Sequence, residues 1–186
     1  MGRLMSRGGA SSLGVNAIAR EAKVNKSLIY RYFGDLNALY VAYVDQSDLW
    51  PTFEELVGPN PERLVGLSWP DILADVMPRY AAALRRRPQT LELLAVELSA
   101  RTELTIAFEE VRESRSNETF ERMAKLGLIA PEHVAILLAL VSAAINYLAV
   151  RSRNIRWFSG VEINTDEFWT ESLGRTLRIL GDDITK

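Results

Sequence analysis

The chain has no cysteine and only one histidine among its 186 residues. Without cysteine there is no disulfide framework, no thiolate zinc site, no iron–sulfur cluster and no thiol nucleophile. One histidine rules out a two-histidine metal motif, and a Ser-His-Asp triad would have to run through His133. No glycine-rich phosphate loop or nucleophile motif is present. The carboxylate neighbours Glu109-Glu110 and Asp182-Asp183 are adjacent in sequence, and adjacent helical residues do not face one another. The expectation is a protein that is not an enzyme, with no catalytic residue, cofactor or metal. Strand signals are also scarce: no alternating β-branched run, no Asn-Gly turn and no internal repeat.

Targeting signals are missing too. Met1–Gly9 is basic, but no apolar segment follows it as in a secretory signal. The most apolar stretch, Val134–Val150, reaches only the lower length limit for a membrane span and contains Ser142 and Asn146. A buried helix explains it better, so a cytoplasmic protein with no membrane partner is expected.

What is present is an ordinary globular composition with uneven charge. Hydrophobic residues make up 48% and charged residues 25%, which excludes a disordered chain. The formal charge is −2. Residues 1–35 hold six basic side chains against Glu21 and Asp35, a net +4, leaving sixteen basic against twenty-two acidic, −6, for the rest. A basic head on an acidic body suits a head that meets a polyanion. Chance can also produce such an excess over a short segment.

Helical periodicity runs through most of the chain, punctuated by Pro and Gly. Val15, Ile18, Ala19 and Ala22 share one face of a first clear helix. Lys23-Val24 breaks it. Asn25 is a good N-cap for a second helix to Phe33, which Gly34 ends in the left-handed C-cap position. Asp35 caps a third, about Leu36–Asp48. A proline-rich stretch follows. Further helices are expected over Pro70–Arg87 with Pro78 as a kink point, Leu91–Ala100, Arg101–Leu126, Glu132–Arg153 and, capped by Thr165, Asp166–Leu180. Asn154–Asn164 reads as a connection.

Two short helices across a tight turn, the second polar and aromatic, have the layout of a helix-turn-helix. The residues sharpen this. The segment GVNAIAREAKVNKSLIYRYFGDLNALYVAYV resembles the DNA-binding region of the TetR/AcrR family of transcriptional regulators. The matches are Val15, Ile18-Ala19, Ala22, Val24, Lys26, Ile29-Tyr30, Phe33 and Leu39, within about Gly9–Val44. Departures are a first helix apparently truncated to Met1–Arg7, Leu13-Gly14 where a Ser/Thr cap is common (Ser12 caps instead), Lys23 for a turn glycine, and Leu36 for a phosphate-binding lysine.

From the residues themselves, Ile18, Ala22, Val24, Ile29 and Phe33 are expected in the core. Asn25 caps the second helix and turns its amides towards a phosphate, and Lys26 neutralises a phosphate at the same end. Ser27, Leu28 and Arg31 face outwards to base edges, Leu28 against a thymine methyl and Arg31 forked onto a guanine. Tyr30 and Tyr32 present hydroxyls to phosphates, or are half-buried aromatics. Arg31 has the alternative of being a solvated charge. Asn16 and Arg20 are weaker backbone-contact candidates. The resemblance implies phosphate contact for Lys26, Tyr30 and Tyr32 and base reading around Ser27 and Leu28.

The resemblance further implies an all-α protein in two domains. Residues 1–48 form the DNA-binding head, and residues 49–186 form a helical body for ligand binding and dimerisation. Its partners are then double-stranded DNA carrying a pseudo-palindromic operator, an unidentified small-molecule effector and a second copy of the chain. The function implied is a repressor released by ligand. The alternative is a helical small-molecule-binding or interaction protein with an impaired head. In the body, Glu97 is expected to pair with Arg101. Ser142 and Asn146 face a core, an interface or a ligand. Trp50, Phe53, Trp69, Tyr80, Tyr147, Trp157 and Phe158 are core or cavity lining. Arg85–Arg87 is a helix C-terminal charge cluster, and His133 is structural or exposed.

Overall fold

The computed structural model describes residues 1–184, and these are all-α apart from one hairpin with two residues in each strand. The chain divides into two compact units, residues 1–50 with 87–116, and residues 51–86 with 117–186.

The first unit opens with α1 (Gly2–Gly8), α2 (Val15–Ala22), α3 (Lys26–Phe33) and α4 (Leu36–Gln46). It also takes α7 (Pro88–Glu97) and the first part of α8 (Glu103–Lys125). Met5, Leu13, Ile18, Ile29, Leu39, Tyr40 and Val44 are buried in the head, and Leu91, Leu94, Leu104, Phe108 and Val111 in α7 and α8. The Tyr40 hydroxyl donates to the Leu13 carbonyl at 2.7 Å, and the buried Thr90 hydroxyl donates to the Leu49 carbonyl. Both bonds satisfy carbonyls lying between helices. Trp50 meets the Phe108 ring edge-on, with centroids 5.8 Å apart.

Glu97 does not pair with Arg101. The helix ends at Glu97, so the expected one-turn spacing does not exist. Both Glu97 oxygens instead accept from Arg112 Nη1, at 2.7 and 2.6 Å, and Arg101 reaches Glu109 at 2.8 Å. Arg85 and Arg86 stand in a helix's last turn and at its C-cap, as expected, while Arg87 lies one residue beyond. It precedes α7, is buried, and donates through Nε to Asp48 at 2.9 Å.

The second unit is built around α6 (Trp69–Arg85), against which α5 (Phe53–Val57), α9 (Glu132–Arg151) and α10 (Leu173–Ile184) pack. α6 runs through Pro78 without ending. Proline lacks an N–H, so the Ala74 carbonyl loses its helical donor. Gly174 of α10 sits at that spot, where a Cβ would lie 3.0 Å from the Ala74 oxygen. A side chain there would require the crossing to open by a few tenths of an ångström. The Tyr80 hydroxyl donates to Asn146 Oδ1 at 2.7 Å, giving Asn146 a protein partner between α6 and α9.

The expected connection after α9 holds a hairpin, with Trp157 paired to Glu162 and Phe158 to Val161. Its turn, Ser159-Gly160, has positive φ at both residues, 47° and 79°. That matches the twist of short hairpins, and a Ser-Gly pair advertises it less than Asn-Gly does. Thr165 Oγ1 accepts from the Phe168 N–H at 3.2 Å, as a cap should. A five-residue π-helical turn, Phe168–Ser172, then precedes α10.

One expectation for this unit fails clearly. α9 is not a buried helix: only 17% of its most apolar window is buried, although that window has a mean hydropathy of 2.1. By length and composition α9 could cross a membrane. Val134, Ile145 and Ala149 are buried. Ile136, Leu140, Ala143, Ala144 and Tyr147, recurring at three- and four-residue spacing, form an exposed apolar face.

Candidate nucleic-acid interface

α2 ends in a tight reversal. The Val24 N–H reaches the Ala19 carbonyl at 3.0 Å and the Lys23 N–H reaches Arg20 at 3.2 Å, the paired bonds of a Schellman motif. Lys23 occupies the left-handed position, φ 57° and ψ 39°. A side chain there costs about 1–2 kcal/mol relative to a right-handed position. Lys23→Gly removes that strain but gains unfolded-state entropy. It is therefore expected to raise stability by up to about 1 kcal/mol, read as a higher midpoint in thermal unfolding.

After the turn, Asn25 Oδ1 accepts from the Ser27 N–H at 3.0 Å and so caps α3. Gly34 closes the helix with φ 82° and ψ −59°, near a γ-turn rather than the left-handed helical basin. Asp35 then caps α4 through the Ala38 N–H at 2.7 Å. Ser12 does not cap α2. Its hydroxyl donates to the Leu4 and Gly9 carbonyls, tying α1 to the segment behind it, and Gly14 stands at the α2 start with no side-chain cap.

These constraints decide what α3 presents. Residues rotate by about 100° each around a helix. With Ile29 buried, Ser27 and Arg31 point most directly away from the core. Lys26 and Tyr30 lie on one flank, Leu28 and Tyr32 on the other. Lys26, Ser27, Tyr30, Arg31 and Tyr32 are exposed, while Leu28 is half-buried. On α2, Asn16 and Arg20 are exposed.

The head core is smaller than the sequence pattern suggests. Ile18 and Ile29 are buried, but Ala22, Val24 and Phe33 are exposed, Val24 at 36% and Phe33 at 40%. Eight-residue helices offer one packed face, too short to enclose a second apolar row.

The short α1 still braces the motif, through contacts that sequence reasoning did not find. Met5 is buried, and Arg3 and Arg7 reach the Glu21 carboxylate of α2 at 2.8 and 2.5 Å. The Arg3 bond, then the Arg7 bond, hold that carboxyl below its ordinary pKa range. Basic residues three and seven places into the chain and an acid on α2 were visible, but their meeting depends on how α1 folds back. Among the described residues, Arg20, Lys23, Lys26 and Arg31 have no carboxylate partner. The head's positive charge is thus concentrated on the α2–α3 side. Leu36 is half-buried and supplies no charge there.

Other candidate residues do not assemble into a site. Glu109 is tied to Arg101 while Glu110 is exposed. The side chains of Asp182 and Asp183 lie outside the described ones. The body aromatics are dispersed, from buried Phe53 and Tyr80 to exposed Trp157 and Tyr147.

A trihelical head with a capped, outward-facing third helix and unpaired cations beside it defines a helix-turn-helix DNA-binding protein. The sequence profile of bacterial regulatory proteins, tetR family, matches residues 3–43, which span α1 to most of α4. Residues 3–43 are thus a TetR-family helix-turn-helix head, which supports a DNA-binding transcription regulator. No curated protein and no solved structure matches the chain.

Proposed function

We propose that the protein is a cytoplasmic homodimeric repressor, released from a pseudo-palindromic operator by a small-molecule effector. The observation that carries the DNA half of this reading is the exposed face of α3, flanked by unpaired cations. Residues 1–48 act as the reading head and residues 49–186 as the ligand-binding and dimerisation body. Lys26 and Tyr30 hold one phosphate strand, with the Asn25-capped amides beside them. Ser27 meets base edges, and half-buried Leu28 keeps its outer methyls for a thymine. Arg31 and Tyr32 complete the exposed face.

Two such heads dock in successive major grooves about 34–36 Å apart. An effector that favours a body with a different head spacing lowers affinity, because both heads then cannot dock together. The apolar outer face of α9 supports dimerisation, since a soluble monomer would leave it wet. Effector binding rests on family membership alone.

The test is a salt titration of DNA binding with fragments including the gene's own upstream region. The unaltered chain should retard one fragment preferentially. Lys26→Ala should weaken binding about uniformly across sequences and reduce the log–log salt slope by about 0.9, one phosphate's worth. Weak retardation of every fragment alike would favour a ligand-binding or interaction protein with an impaired head.

A further inference from the structure

We infer that Arg31, steadied on the ring of Tyr32, reads a guanine in each half-site and is the main determinant of sequence preference. The inference deepens the operator reading above and rests on it. Arg31 and Ser27 point most directly away from buried Ile29, one turn and about 6 Å apart along the axis. They therefore address neighbouring base pairs. The Arg31 guanidinium carbon lies 5.4 Å from the Tyr32 ring centroid. That is within cation–π range, and no carboxylate among the described residues competes for it.

Tyr32 is 72% exposed, so its ring is not held for packing. A guanidinium resting on a ring loses freedom but keeps its N–H edge open. This leaves the planar fork free for two parallel hydrogen bonds.

The chemistry selects the base. Arginine only donates. In the major groove guanine alone offers two adjacent acceptors, O6 and N7. Adenine sets a donor beside its N7, cytosine offers a donor, and thymine one acceptor next to a methyl. The ring of Tyr32, rather than its hydroxyl, is the working part, which makes Tyr32 a positioning residue.

The experiment selects bound sequences from a random duplex pool with the full chain, then measures affinities for the selected duplex and for duplexes altered one base pair at a time. A fixed guanine is expected in each half-site. Replacing it should cost the unaltered chain about 5- to 150-fold per half-site. Arg31→Ala should abolish that discrimination and leave preferences elsewhere in place. Arg31→Lys keeps the charge and a donor but loses the planar fork, guards against a folding artefact, and should discriminate less than arginine does. Tyr32→Ala should lower discrimination at that pair about 2- to 5-fold, and Tyr32→Phe should leave it intact.

Three results overturn the proposal while leaving an operator reader standing: a selected site without a fixed guanine, an Arg31→Ala chain that still discriminates, or a Tyr32→Phe chain that weakens on every sequence as a lost phosphate contact would. A wild-type chain that selects no site at all overturns the operator reading with it.

Discussion

Replacing Leu140 with arginine is expected to turn a dimer into a monomer and to lower operator affinity on the order of 100-fold or more. Leu140 is 65% exposed on the outer face of α9, at the centre of Ile136, Leu140, Ala143, Ala144 and Tyr147. Apolar surface left in water costs about 25 cal/mol per Å², and a face of this length is a strong incentive to pair. The alanines on it allow a second helix to approach closely, and Ile136, Leu140 and Tyr147 supply the area. An arginine in such an interface is desolvated without a partner, which costs several kcal/mol in the dimer.

The same substitution costs little in the single chain, because the position is exposed there; within about 0.5 kcal/mol is expected. The variant should therefore fold, sediment at half the mass, and bind one half-site without the gain from tethering two. Sedimentation and DNA titration on one sample check both parts. A variant that still sediments as a dimer would show that α9 is not at the interface. Its inner face is already committed to α6, with Tyr80 bonded to Asn146.

Trp169→Ala is expected to destabilise the second unit by about 3–5 kcal/mol, the range for deleting a fully buried large aromatic. Trp169 is 1% exposed. Its Nε1 donates to the Ile163 carbonyl at 2.7 Å, and the Phe168 ring meets it edge-on with centroids 4.9 Å apart. The Arg85 guanidinium lies over the ring at 5.4 Å. Alanine removes all of this and leaves a cavity where the ring was.

Trp169→Phe separates the contributions. It keeps most of the packing but orphans the Ile163 carbonyl, so about 1–3 kcal/mol should be lost. Urea unfolding followed by circular dichroism reads both variants. An alanine variant within 1 kcal/mol of the parent would mean that the π-helical turn relaxes to fill the space.

Local chemistry was the legible part. Asn25, Asp35 and Thr165 cap helices as their side chains predict, because a cap forms within three residues and needs nothing distant. Lys23 could be seen to demand a turn that tolerates a Cβ, and it takes the left-handed conformation. The exposed residues of α3 followed from period and polarity. Leu28, half-buried, and Phe33, exposed, were the exceptions. Ser12 was misread because its preference for capping α2 loses to two carbonyls near α1, one of them eight residues away.

Helix identity, the turn between α2 and α3 and the cationic head were determined by the sequence itself, since each rests on neighbours within one or two turns of the chain. Tertiary structure alone decided the rest. Arg3 and Arg7 close on Glu21, fourteen or more residues away, and leave Arg20, Lys23, Lys26 and Arg31 as the head's unpaired cations. Glu97 finds Arg112 because α7 stops before Arg101 can come round to it. The most apolar helix lies open because α6 has room for one of its faces, and no local pattern reports how many neighbours a helix will meet.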